Sequence, residues 1–279
     1  METRRMCPQC RAFITTHDRV CPYCHEAVGV RAVDRDAPVQ VLGGTIAQNQ
    51  FTTIMLLLVN FGLYAATVVY SMKAGNESAL MNLDPQTLYR FGAKYGPSIF
   101  RGEQWWRLLT AGYLHGGLIH IGMNCWVLYD LGPQIDEIYG TSRYFVFYTL
   151  STIGGFLLSS YWSPLTPSVG ASAGLVGLIG VMIALGVGSK TAVGAAIRGT
   201  YIRWAITLFL FGFIGYFRVD NAAHLGGMVT GFVAAYFAGT PRISSTSGEQ
   251  GWRMAAWACA ALTIYCFIKM YLAFSAESL

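Results

Sequence analysis

The sequence predicts an all-α polytopic membrane protein carrying a small cysteine-rich module at its N-terminus. Three observations predict it. Of 279 residues, 54% are hydrophobic and only 12% charged, against roughly 25% charged in an average soluble domain. Seven apolar stretches each approach the ~20 residues that a bilayer-crossing helix needs. Two Cys-x2-Cys pairs stand together before the first of them. This composition excludes an ordinary soluble globule, a disordered chain and a nucleic-acid-binding domain. The net charge of +5 is scattered without a basic stripe, so no nucleic-acid partner is expected.

Residues 1–30 hold Cys7, Cys10, Cys21 and Cys24, four of the seven cysteines. Each pair can supply two thiolates from one tight turn, the arrangement of tetrahedral zinc. Pro8 and Pro22 favour such turns. The segment is read as a closed, structural zinc ribbon with four cysteine ligands, in preference to disulfides or a redox pair, with His25 beside the site. Residues 31–50 are mixed and polar, with Asp34, Asp36, Pro38 and Gly43-Gly44, and read as a linker. Nothing at the start has the order of a signal peptide, so the first span is expected to act as the membrane entry signal.

The spans are expected at about 51–71, 113–133, 143–162, 170–188, 200–217, 221–239 and 254–275, with a linker at 240–253. If the N-terminus lies inside, the inner segments carry twelve Lys/Arg and the outer ones six. That agrees with the positive-inside rule. The outer loop 72–112 is too long for a simple connector, and its Leu83, Leu88, Tyr89, Phe91, Tyr95, Trp105 and Trp106 suggest segments lying in the interface. Asn76-Glu77-Ser78 in that loop matches a glycosylation sequon. Cys125, Cys259 and Cys266 fall in apolar stretches and read as small buried hydrophobes.

Three of the five histidines, His115, His120 and His224, fall in expected spans, where ionisable groups are costly and face the interior or a wet cavity. Ser172 in Gly170-Ala171-Ser172-Ala173-Gly174 opens the fourth span, and His224 opens the sixth. Both even spans run inward, so the two groups share a depth near the outer face. His120 and Asn124 on span two are i, i+4 neighbours on one helix face. His224, Gly227 and Gly231 also share a face, able to pack closely on a neighbour. A serine hydroxyl becomes nucleophilic when a neutral imidazole takes its proton. The oxyanion formed on attack needs positioned donors, which the His120 ring, the Asn124 amide and the Ser172 N–H can supply. Asp220 is at most a weak orienter of His224, so the set reads as a Ser–His dyad.

Trp106-Arg107, His115, His120-x3-Asn124, the Gly-Ala-Ser172-Ala-Gly run and Ala-His224-Leu-Gly-Gly together resemble the rhomboid family of intramembrane serine proteases, over about 50–239. The resemblance implies a six-helix core over 51–239, to which the ribbon and the seventh helix, 254–275, are additions. It implies Ser172 as nucleophile, His224 as general base, and His120 and Asn124 as oxyanion donors, with no metal or cofactor in the chemistry. It implies transmembrane protein substrates, single-span or other, cut near their outer ends within the lipid bilayer. Trp106-Arg107 becomes a loop-stabilising pair. Two positions depart from the family pattern: Ala173 replaces a common glycine, and Val176 stands where an aromatic often backs the imidazole. The protein is expected in a plasma or inner membrane with its N-terminus cytoplasmic and the site outward. The ribbon would dock a cytosolic partner, bind a substrate tail or simply fold as a module. A rhomboid-like scaffold without activity is the main alternative. A zinc metalloprotease lacks HExxH, and Asp130 has no second intramembrane aspartate for an aspartyl site. A transporter would place its polar groups nearer mid-membrane.

Overall fold

The computed structural model describes residues 50–212, 219–239 and 246–276, and, near the N-terminus, residues 4–7, 10, 12–15, 18–25 and 28. Nearly all of the linker expected at 31–50, Arg218 and the end of the fifth expected span lie outside the described residues. In the N-terminal module, β1 (Arg4–Met6) pairs antiparallel with β2 (Phe13–Thr15), Arg5 opposite Ile14. Cys7, Ile14, Cys21 and Val28 form its small buried cluster.

The rest of the described chain is helical. It comprises α1 (Phe51–Lys73), α2 (Pro85–Arg90), α3 (Gly96–Phe100), α4 (Arg107–Thr110) leading into a 3-10 turn (Ala111–Tyr113), α5 (Leu118–Tyr139), α6 (Thr141–Trp162), α7 (Ser172–Gly188), α8 (Ala192–Phe211), α9 (Asn221–Ala238) and α10 (Thr246–Ala276). The seven long helices correspond in order to the seven expected apolar stretches. The shortest, α7, has 17 residues, about 26 Å at 1.5 Å per residue. By length and composition alone, α1 and the Gly248–Ala276 part of α10 are able to cross a membrane, whereas α7 is apolar but shorter.

Three boundaries correct the sequence reading. Helix α5 begins at Leu118, not near 113, so His115 precedes the helix instead of lying in it. The reason is pairing of the chain here with residues 80–83: Leu83 N–H donates to the Gly116 carbonyl and Leu118 N–H to that of Leu80. Helix α8 starts at Ala192, before the expected 200, because the Thr191 hydroxyl caps it through Gly194 N–H (3.1 Å). Helix α10 starts at Thr246, within the stretch expected as a linker at 240–253. Its polar first turns find partners in the bundle, since Glu249 pairs with Arg143 of α6 at 2.8 Å and Trp252 meets Phe147 edge-on.

Helix α7 lies at the centre, packed chiefly against α9 and then α8 and α6. Its contact with α9 is made by backbone. A Cβ on Gly227 would overlap the Ala173 carbonyl, and one on Gly231 would overlap the Gly177 carbonyl. Those paired positions rise together, 173 with 227 and 177 with 231, so α7 and α9 run parallel. Ser172 and His224 therefore stand at the same end of the crossing.

Candidate active site

Ser172 is the first residue of α7, delivered by a turn at Gly170 whose φ of +140° suits glycine. The Gly170 N–H donates to the Ala111 carbonyl at 2.9 Å, fixing that turn to the 3-10 segment. A Cβ on Gly170 would stand 2.8 Å from His120 Nε2 and 3.3 Å from Ser172 Oγ. The two side chains thus converge on the space that the missing methyl leaves open.

His120 lies on the first turn of α5. Its Nδ1 accepts the Gly116 N–H at 3.3 Å. In a neutral imidazole the proton then sits on Nε2, the atom aimed at that space. The His115 ring meets His120 edge-on at 5.2 Å. One turn further, Asn124 is buried and its Nδ2 has no hydrogen-bond partner. An unpaired buried amide is costly and suits a group that finds its acceptor only during a reaction.

His224 is buried on the first turns of α9, with Nδ1 unpartnered. A ring does face it, but from Phe209 of α8, at 6.4 Å and edge-on, and not from α7, where Val176 stands. Asp220, read from the sequence as at most a weak orienter of His224, has other partners. Its carboxylate caps α9 through Ala223 N–H (2.9 Å) and accepts the Ser159 hydroxyl. Among the described residues no hydrogen bond joins Ser172 to His224. Catalytic hydrogen bonds are often long without substrate and tighten when it binds.

The loop of residues 74–117 is pinned to this region by two buried cations. Arg107 sandwiches between Tyr89 and Trp106, its guanidinium carbon 4.2 and 4.6 Å from the ring centroids, and donates to the Tyr89 and Ala93 carbonyls at 2.6 and 3.0 Å. This is the loop-stabilising role expected of the Trp106-Arg107 pair. No sequence signal marked Lys94, which is fully buried with Nζ donating to the carbonyls of Thr166 (2.8 Å), Ser163 (3.0 Å) and Ser159 (3.4 Å). Backbone acceptors carry no residue type, so nothing in the residue pattern could announce them. Gly116, which sets the His120 tautomer, was missed for the same reason. The sequon Asn76 is half-buried and held by its own loop, its Nδ2 donating to Ser71 Oγ and the Asn82 carbonyl, both at 3.0 Å.

In the N-terminal module no disulfide joins Cys7, Cys10, Cys21 and Cys24 among the described residues. Their Sγ atoms all lie within 4.8 Å of one another, with Cys7–Cys24 at 3.7 Å and Cys10–Cys21 at 3.6 Å. Thiolates about 2.3 Å from a tetrahedral zinc would be spaced about 3.8 Å apart. The cluster fits a metal ion of that kind. His25 is exposed and outside the cluster.

Residues 102–241 match the family model of the Rhomboid domain. Over 157 residues the chain is 37% identical to rhomboid protease GluP of Bacillus subtilis (strain 168), covering 56% of this chain and 30% of that protein. Over 171 residues it is 32% identical to RHOMBOID-like protein 6, mitochondrial, of Arabidopsis thaliana, covering 60% and 54%. Inactive RHOMBOID-like protein 8 of the same plant is 28% identical over 163 residues, covering 58% and 46%. The matched stretch therefore spans about a third to a half of these relatives' length.

Proposed function

The chain belongs to the rhomboid family, and from that premise we propose that it is an intramembrane serine endopeptidase, with Ser172 as nucleophile and His224 as general base. The observation that carries this reading is the parallel α7–α9 crossing, which sets both side chains at one end of the bundle with His120 Nε2 aimed at the Ser172 hydroxyl's side. His224 takes the Ser172 proton as Oγ attacks a peptide carbonyl carbon, and the carbonyl electron pair moves to oxygen. Donors for that oxyanion are His120 Nε2–H, Asn124 Nδ2–H and the Ser172 N–H, which has no acceptor within its own helix. Collapse expels the amine, which leaves with the proton from His224. Water, deprotonated in turn by His224, then cleaves the acyl ester and restores Ser172.

The substrates are transmembrane proteins, entered near their outer ends where an unwound segment can reach a backbone-lined space. The excess of Lys/Arg on the inner segments supports an orientation with the N-terminus inside and the site outward. Two observations favour the scaffold reading instead: the Ser172–His224 hydrogen bond is absent among the described residues, and a named relative is inactive. Labelling the purified full chain with a serine-reactive fluorophosphonate and mapping the adduct separates the two. Attachment to Ser172, lost in His224→Ala, is the protease outcome, and an unlabelled protein that also fails to cut a model single-span substrate is the scaffold outcome. Ser172→Ala and His224→Ala each lower kcat by roughly 10⁴-fold or more.

The four N-terminal cysteines support a structural zinc site, in which Cys7, Cys10, Cys21 and Cys24 would hold the ion and the ion would tie the two turns together. Metal analysis should find one zinc per chain. Removing it with a chelator should release the N-terminal module to protease while cleavage by the core persists.

A further inference from the structure

Lys94 and Ser159 form a buried junction that the proposed chemistry does not use. Ser159, near the outer end of α6, is touched from two sides. Its carbonyl accepts the Lys94 ammonium, and its hydroxyl donates to the Asp220 carboxylate at the start of α9. Lys94 Nζ meets three carbonyls, Ser159, Ser163 and Thr166, and three acceptors match the three N–H donors of an ammonium group. The Lys94 backbone also pairs with Ser168 in both directions, at 2.9 and 3.1 Å. Lys94 therefore grips the connection from Ser163 to Ser168, four residues before Ser172. On the far side, Asp220 caps α9 and its carbonyl accepts the His224 N–H at 3.0 Å.

We propose that Lys94 is a positioning residue for the Ser172–His224 pair, fastening the segment that delivers the serine and, through Ser159 and Asp220, fixing the start of the helix that carries the imidazole. This rests on the protease reading for its kinetic consequence, though not for its structural one. Burial lowers the Lys94 pKa from its ordinary value, and the Asp220 carboxylate offsets part of that; the lysine and the carboxylate thus act on each other across Ser159.

The test uses the full chain in detergent or nanodiscs. Lys94→Met should lower kcat for a single-span substrate by roughly 10²-fold, the scale of an ångström-sized misplacement, with KM changed less than about twofold. Should Lys94→Met fail to fold, Ser159→Ala keeps the carbonyl that holds Lys94 and removes only the link to Asp220, and kcat should fall about tenfold. Hydrogen exchange supplies a readout independent of activity: in either variant, amides of 221–224 should exchange faster, and in Lys94→Met those of 164–171 as well. Faster exchange confined to 164–171, or a fall in thermal midpoint with kcat unchanged below it, overturns the proposal. If the unaltered protein neither cleaves nor labels, the protease reading fails by itself, and the exchange pattern still decides whether Lys94 couples the two segments.

Discussion

Helices α7 and α10 are both apolar, yet they are held in opposite ways. Helix α7 is short and almost wholly buried, and its neighbour α9 approaches until backbone meets backbone at Gly227 and Gly231. Helix α10 is nearly twice as long and largely exposed. It touches the bundle through ring edges: Trp252 on Phe147, Phe267 on Tyr113 and Phe274 on Tyr70, the last at 5.2 Å. In lipid there is little hydrophobic drive between helices, so close van der Waals contact and small residues decide which of them join tightly. The contrast teaches that apolarity alone did not choose the central helix. Glycine spacing did, and the tight crossing lies at the end of the helices that carries Ser172 and His224, the residues of the proposed dyad.

The largest expected effect comes from spoiling that crossing. In Gly231→Ala the added methyl would overlap the Gly177 carbonyl, and a backbone atom cannot swing aside as a side-chain tip can. The helices must separate, at a cost of about 3 kcal/mol, the upper part of the range for overpacked cores. Thermal unfolding in detergent reads it, and cleavage should fall with it as Ser172 and His224 drift apart. A loss under about 1 kcal/mol would mean that the crossing is looser than its geometry.

How far this was legible depends on what carried each feature. Ser172, His224, His120 and Asn124 stood out in the sequence because polar groups in apolar stretches have few explanations, and that Ser172 and His120 approach one space is what the structure adds. The His224, Gly227, Gly231 face was also visible, although that its neighbour is α7 was not. Helix starts were read poorly where polar residues open a helix. Thr246 to Gln250 looked like a linker until Arg143 supplied a partner for Glu249, and Lys190 with Arg198 hid the beginning of α8. Asp220 lies one residue before a helix, the cap position, a signal that outranked its nearness to His224. Lys94 and Gly116 work through backbone groups, to which side-chain patterns are blind.

On the α10 side, Trp252→Ala should cost less. The indole meets Phe147 at 5.8 Å and lies 5.1 Å from the Arg143 guanidinium carbon. An aromatic pair is worth about 0.5–1.5 kcal/mol beyond its buried area, so a loss of about 2 kcal/mol is expected in the same unfolding measurement. Core cleavage should change little. A larger activity loss than in Gly231→Ala would move α10 from the edge of the bundle to the working centre of the proposed protease.

The smallest effect belongs to Glu249→Gln. The Glu249–Arg143 pair joins the first turns of α10 and α6 at 2.8 Å, with side-chain exposures of 19% and 8%. Glutamine keeps an acceptor oxygen at nearly the same place, so the change removes charge and leaves the contact. Arg143 retains the Tyr139 carbonyl at 3.4 Å and the face of Trp252, so its cation is not stranded. A loss of at most about 1 kcal/mol follows, near the upper end for exposed pairs, and it should shrink further as salt is raised because a partly open pair is screened. A loss above about 2 kcal/mol that ignores salt would place the pair among buried ion pairs, whose breakage is costly. Helix α10 would then be pinned by its charge and not by its rings, and the two helices would differ in the kind of anchor more than in its strength.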